Sequence, residues 1–383
     1  GARGVLSAIA GTMMTVATTA FSITIVAVQL GSSQFSPRIL RGFTGDRGNQ
    51  FVLGAFIATF AYSLLVLRSV RTATSDGQIF VPSASVSLAI VLALGSIGSL
   101  IYFFHHATRG IQASVIIERA ATDTFGLIKQ ALDADAEQTG ATPDLPGGRP
   151  MVEVLADKTG YVTGRNTEAL FRLAEKFGGA LVVHVAIGDH LFTGTKLASM
   201  FATPDADTAT GEGSDDSDKS EQKVRSAFTI DMERSLEQDV RLGFRQLADI
   251  AVKALSPGIN DPTTATICID RLGEALARSR GISNGFQSRS HDNGNLRLLW
   301  PQPGFDAFLG TSVQQIRHFG ASDATVMAHL LHMLGVLADG ADPGIRFQIE
   351  REAHASLEEA MLAIEIPIDR ARVHSAAEWL AQS

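Results

Sequence analysis

The stretch GVLSAIAGTMMTVATTAFSITIVAVQLGSSQFSP, residues 4–37, holds no charged side chain between Arg3 and Arg38. About 20 mostly apolar residues suffice to cross a bilayer, so this run alone places the N-terminal part of the chain in a membrane. Two further charge-free runs follow, one between Arg47 and Arg68 and one from Gly77 to Phe104. Spanning helices are expected at about Val5–Leu30, Gln50–Leu67 and Val81–Phe104. The modest mean hydropathy of +0.14 averages two different solvents. Seven Arg against two Asp give residues 2–110 a charge of +5, so the whole-chain charge of −8 leaves −13 for the remainder. That split fits a basic-flanked membrane domain attached to an acidic aqueous one.

The pattern predicts a membrane α-helical domain over 1–110 and a connecting helix with linker over 111–150. A cytoplasmic α+β region follows: a small β-rich, barrel-sandwich-like unit at 151–203, a disordered acidic loop at 204–223 and an α-helical domain at 224–383. The acidic loop is Ser/Gly-rich and lacks aromatics, a composition that buries too little surface to fold. From Asp231 onward the apolar residues Met232, Leu236, Val240, Phe244, Leu247, Ala251 and Leu255 recur at helical spacing. Further helices are expected at 263–280, 305–319, 323–338 and 343–380.

Short-loop arginines orient the spans. Arg38, Arg41 and Arg47 follow the first run, and Arg109 follows the third, whereas Arg68 and Arg71 are offset by Asp76. The richer sites, and with them the large C-terminal region, are expected on the cytoplasmic side of a bacterial inner membrane. Gly1 would then lie outside. With no initiator Met at the opening, one further span upstream is expected.

The first run is amphipathic even within a membrane. Ser7, Gly11, Thr15, Thr18, Ser22, Ile25, Gln29 and Ser32 form one stripe of mainly small or polar residues, opposite Val5, Ile9, Met13, Val16, Phe21, Ile23 and Val28. Small residues permit close helix packing, so a protein-buried stripe is one reading. A water-lined path is the other. Gln29, Ser32, Ser33 and Gln34 add more polarity at the cytoplasmic end than packing requires.

Other candidates carry less. Cys268, the single cysteine, sits in TICI and reads as a buried small hydrophobe; one cysteine excludes an intrachain disulfide and a four-Cys metal cage. IGDHLFTGTKLASMF resembles the glycine-punctuated hairpin of lipoyl-like barrel-sandwich domains, in which a lysine at an exposed hairpin tip is modified. Lys196 does not occupy such a tip, and Lys158 in ADKTG reads as an ordinary turn lysine. The loop Ser256, Pro257, Gly258, Ile259, Asn260, Asp261, Pro262 could offer N–H groups to an anion or carboxylate oxygens to a cation. Each of its residues also has a turn or capping role, and that corner reading is preferred. His318, His329 and His332 lack the spacing of a metal motif, and His105 and His106 suit a membrane edge. No Walker loop, GxGxxG, GxSxG or HExxH is present, and the acidic aqueous region disfavours nucleic acid. No enzyme activity, cofactor or metal is expected.

Two long motifs, GSSQFSPRILRGF at 31–43 and ALSPGINDPTTATICIDRL at 254–272, are extended by RSAFTIDMERSLEQDVRLGFRQLADIA at 225–251. Together they resemble the bacterial predicted-membrane-protein family called domain of unknown function twenty-two fifty-four, over essentially the whole chain. The resemblance implies a further N-terminal hydrophobic segment and implies no activity.

Function is therefore expected from physics alone. The sequence reads as a homo-oligomeric inner-membrane channel or channel-like transporter for inorganic ions, in contact with membrane lipids and with a cytoplasmic vestibule or gate. Arginines 38, 41 and 47, repeated around an axis, would form basic rings that favour anions, unless they only anchor to lipid headgroups. The alternative is a membrane-anchored scaffold or sensor whose helical domain binds a partner; a lipid-handling enzyme is a third reading.

Overall fold

The computed structural model describes residues 1–34, 47–70, 82–110, 112–136, 149–202, 214–290 and 296–382. They form two compact units, residues 1–116 and 117–383.

The first unit is built from α1 (Ala2–Gln34), α2 (Arg47–Ser69) and α3 (Ser83–Gly110). Their apolar windows, Ala2–Val26, Gly48–Ser69 and Ser83–His106, are each long enough to cross a membrane, as the charge-free runs require. In hydrocarbon no water satisfies backbone N–H and C=O groups, so a helix, which pairs them internally, is the conformation such runs must take. At 1.5 Å per residue the 33 residues of α1 extend about 50 Å, well beyond a hydrocarbon layer of about 30 Å. The turns carrying Gln29 and Ser32 lie past its apolar window. Met13, Ala17 and Ala20 of α1 pack with Val52 and Phe56 of α2 and Phe103 of α3. Buried hydroxyls pair between and within helices: those of Thr59 and Ser96 lie 3.0 Å apart, and Ser63 donates to the Thr59 carbonyl at 2.8 Å.

The second unit opens with most of α4 (Ala113–Ala136) and continues into two sheets. Strands β1 (Val152–Leu155), β3 (Gly179–Val183), β5 (Lys196–Ala202), β7 (Gly285–Ser290) and β8 (Leu296–Gln302) form a five-stranded sheet of order β1-β5-β3-β8-β7. Only β3 and β8 run parallel, with Leu181 opposite Leu298. The central strand GALVV is buried along its length, which explains its continuous rather than alternating apolar text. Strands β2 (Gly160–Arg165), β4 (His190–Leu191) and β6 (Phe228–Asp231) make a second, antiparallel sheet of order β4-β2-β6. Helix α5 (Thr167–Phe177) is capped by Asn166 and buries Leu170, Phe171 and Ala174 in the shared core with Leu181, Met200 and Trp300.

These sheets correct the barrel-sandwich expectation, because neither closes into a barrel. The five-stranded sheet is completed by β7 and β8, which come from within the stretch read as helical. The acidic loop is also shorter than its composition suggests. Residues 204–213 lie outside the described residues, but Ser214–Ser226 forms α6, anchored by buried Val224 at its C-terminal end and by an Arg225–Glu221 ion pair of 2.7 Å.

The helical part comprises α7 (Val240–Ala254), α8 (Pro262–Ser279), α9 (Phe305–Gly320), α10 (Ala324–Ala338), α11 (Pro343–Ala363) and α12 (Pro367–Ala376). Helix α7 begins at Val240, not near Met232, which is 91% exposed. The reason is local: Asp239 accepts from Leu242 N–H as an N-cap. Likewise the expected helix over 343–380 breaks at Glu365–Ile366, and Pro367 starts a new one. Phe244 of α7 stacks on Phe308 of α9 with ring centroids 4.9 Å apart. Helix α10 is apolar but has only 15 residues, too short to span, and its Val326, Leu330, Leu331 and Leu334 are fully buried in the unit.

Candidate functional site

The polar stripe of α1 is the feature most demanding of explanation, because bilayers do not reward hydroxyls. Leu6, Ala10, Met13, Ala17 and Ala20 form the buried face of α1. Ser7, Gly11, Thr15, Thr18, Ser22 and Gln29 are all exposed on the side that α2 and α3 leave uncovered. The stripe is therefore not what holds α1 to its own unit. Met14, Phe21 and Ile25 are exposed along one edge of it, and Val5 is exposed rather than buried. Ser32 lies in α1, and Arg47 is the first residue of α2. Arg38 and Arg41 lie outside the described residues.

Each described hydroxyl in the middle of the stripe is turned inward. Thr15 donates to the Gly11 carbonyl at 3.0 Å, Thr18 to Met14 at 2.9 Å and Ser22 to Thr18 at 2.9 Å, while Thr19 beside them donates to Thr15 at 3.0 Å. The donors are thus spent on the backbone. What faces outward is a row of hydroxyl oxygens with lone pairs able to accept from water or to touch a cation.

The Ser256–Pro262 loop links α7 to α8 and closes on itself. Ile259 and Asn260 N–H groups donate to the Ser256 carbonyl at 3.0 and 2.9 Å, and Asp261 N–H donates to Ala254 at 2.9 Å. The Ser256 hydroxyl donates to Lys253 at 2.7 Å. Asn260 takes φ = +48°, a left-handed conformation that asparagine tolerates, and so turns the chain into the cap. Asp261 caps α8, accepting from Thr264 N–H at 3.1 Å and from the Thr264 hydroxyl at 2.6 Å. The hydroxyl bond, followed by the backbone bond, holds the Asp261 carboxyl below its ordinary range. Its contribution to stability is therefore present above the unfolded value near pH 4 and lost as pH falls through the lower folded value. We expect Asp261→Ala to cost about 1 kcal/mol at neutral pH. In denaturant titrations the gap from wild type should shrink below about pH 4.

Other singled-out residues sit apart. Cys268 is fully buried in α8, where burial pushes its thiol pKa up and keeps it protonated. His329 meets Asp270 at 2.6 Å and His318 meets Glu359 at 3.2 Å, so each ring faces an acid on a different helix. Lys196 opens β5 and pairs with Glu153 of β1 at 2.5 Å. Arg165 carries no motif signal; it closes the run YVTGR, and only the fold withdraws it from solvent.

The chain is 34% identical to an uncharacterized protein of Mycobacterium bovis over 382 residues, covering 98% of this chain and 71% of the relative. It is 35% identical to an uncharacterized protein of Mycobacterium tuberculosis, MT1328, over 384 residues with the same coverages. No solved structure matches. The family described as predicted membrane protein, DUF2254, matches residues 1–335, a span that includes all three apolar helices and both long motifs. The chain belongs to that family of bacterial membrane proteins.

Proposed function

We propose that the protein is a homo-oligomeric channel or channel-like transporter for inorganic ions in the bacterial inner membrane. Its C-terminal unit would face the cytoplasm as a vestibule or gate. The observation that supports this reading is the uncovered polar stripe of α1, from Ser7 through Thr15, Thr18 and Ser22 to Gln29. Lipid gains nothing from a file of hydroxyl oxygens, whereas copies of α1 arranged around an axis would turn that file onto water. Such a path needs no charged residue at membrane depth, in keeping with the charge-free runs. Arginines 38, 41 and 47 at the mouth would act at short range, while the acidic C-terminal unit is screened beyond a Debye length of about 8 Å. The basic mouth would accordingly concentrate anions, whereas the outward hydroxyl oxygens of α1, their donors spent on the backbone, would favour cations along the path, so the reversal potential under a salt gradient decides which governs.

A second reading, a membrane-anchored scaffold or sensor, is favoured by the inward hydrogen bonds. Hydroxyls already satisfied at Thr15, Thr18 and Ser22 tolerate a dry environment. Single cysteines at these three positions, in a Cys268→Ala background, separate the two. A membrane-impermeant thiol reagent should modify them if α1 lines water, and silence at all three would favour the tether. In planar bilayers the purified protein should conduct; absence of current at any voltage, pH or tension would defeat the channel reading.

A further inference from the structure

Arg165, the last residue of β2, pairs with no acid among the described residues. Its Nε and Nη1 are cut off from solvent and have no hydrogen-bond acceptor, although the residue as a whole keeps partial exposure. The Trp300 ring centroid lies 5.3 Å from its guanidinium carbon. A ring face attracts a cation but supplies no carboxylate. Burial lowers the arginine pKa to about 10, and no acid among the described residues acts to offset it. Burying an unpaired charge costs several kcal/mol, so a fold that keeps one has a counter-charge to gain.

The guanidinium lines a cavity of about 190 Å³ within the second unit. Its apolar wall includes Leu127 of α4, Ile187 and Phe308 of α9, while Gln302 and Arg241 add polar groups. The N-terminal turn of α7 also borders the space, bringing the positive end of a helix dipole. The acids at the cavity do not neutralise Arg165. Asp239 accepts from Arg234 at 2.8 and 2.9 Å and from Leu242 N–H at 3.0 Å, and Glu237 is exposed at the rim. Arg241 reaches Asp189 only at 3.4 Å.

We propose that this cavity binds a small organic anion whose carboxylate or phosphate oxygens pair with Arg165 and whose apolar body rests on Leu127, Ile187 and Phe308. Nη2, the guanidinium nitrogen that is not sealed from solvent, is the group placed to donate to such an oxygen, and the positive charge of the whole guanidinium adds to the attraction. An engineered cavity of about 150 Å³ holds benzene, so the volume suits a single ring-sized body and excludes a dinucleotide. The site stands whether or not the protein conducts ions.

Calorimetry of the full chain in lipid nanodiscs, with benzoate, phenyl phosphate, inorganic phosphate and neutral benzyl alcohol as probes, tests it. Benzoate or phenyl phosphate should bind and benzyl alcohol should not. Arg165→Met should weaken binding at least about tenfold, the loss expected for one charge-assisted contact. The same variant should leave the ligand-free protein no less stable, because an uncompensated buried charge has been removed. Arg165→Lys, which keeps the charge and loses the planar guanidinium, should fall between. The assignment would be overturned by no heat from any anion at millimolar concentration, by anion binding undiminished in Arg165→Met, or by a ligand-free Arg165→Met that unfolds at lower temperature than wild type. Equal binding of benzyl alcohol would remove the anionic selectivity and the proposal with it.

Discussion

Replacing Arg317 by methionine is expected to destabilise the second unit by about 3 kcal/mol or more, the cost of leaving a buried partner charge unpaired. Arg317 on α9 bridges two acids of α11: Nη1 lies 3.0 Å from Glu352 and Nε lies 2.9 Å from Glu359. The Glu352 side chain is only 7% exposed, so water cannot replace the lost partner. Gln314 at 3.3 Å and Arg351 at 3.8 Å can return part of the loss, which sets the estimate at the lower end of the usual range. The matching double variant Arg317→Met with Glu352→Met should lie within about 1 kcal/mol of wild type, since a well-packed apolar pair often replaces a buried ion pair without penalty. Denaturant unfolding followed by tryptophan emission reads this directly, because both tryptophans, Trp300 and Trp379, belong to the second unit. If the single variant lost less than about 1 kcal/mol, the network would rank with surface ion pairs. A double variant as unstable as the single would equally count against it.

Gly160→Ala should cost about 3 kcal/mol or more, and for two independent reasons. Gly160 opens β2 with φ = +155°, a backbone region that side chains rarely enter, and such strain costs of order 1–3 kcal/mol. An added Cβ would also stand 2.6 Å from the Asp231 carbonyl oxygen and 3.0 Å from Ile230 Cγ2 on β6. A backbone oxygen cannot swing aside as a flexible side chain can, so β2 and β6 must part where Tyr161 pairs with Asp231; such overpacking adds about 1–3 kcal/mol. Gly258→Ala provides the contrast. That glycine lies in the loop between α7 and α8 without positive φ, and an added Cβ meets nothing within 4 Å. Its effect should stay within about 0.5 kcal/mol. Comparable losses in the two variants would show that close approach to β6 does not govern Gly160.

The two variants differ in how far sequence could anticipate them. Both glycines occur in turn-like text, ADKTG and SPGIND, and nothing in either tells which one faces a carbonyl from 71 residues away. Arg317 and Glu352 share this property. At 35 residues' separation their pairing depends on α9 and α11 lying side by side, and no local pattern records that.

By itself the sequence determined the three membrane helices, the capped start of α8 at Asp261–Pro262 and the family. Charge-free length and capping chemistry are local, and a bilayer leaves the backbone no partner but itself. The amphipathic character of α1 was equally legible, since helical spacing sorts Thr15, Thr18 and Ser22 from Met13 and Ala17 without knowledge of any neighbour. Tertiary structure decided which of those faces α2 and α3 cover. It also recruited β7 and β8 across about a hundred residues to complete a sheet that composition read as a self-contained β-rich unit, because strand pairing is settled by hydrogen-bond partners drawn from any part of the chain. Arg165 depended on tertiary structure most. An arginine at a strand end ordinarily faces water, and only the packing of Trp300, α4 and α7 around it turns an unremarkable residue into a buried charge without a counter-ion.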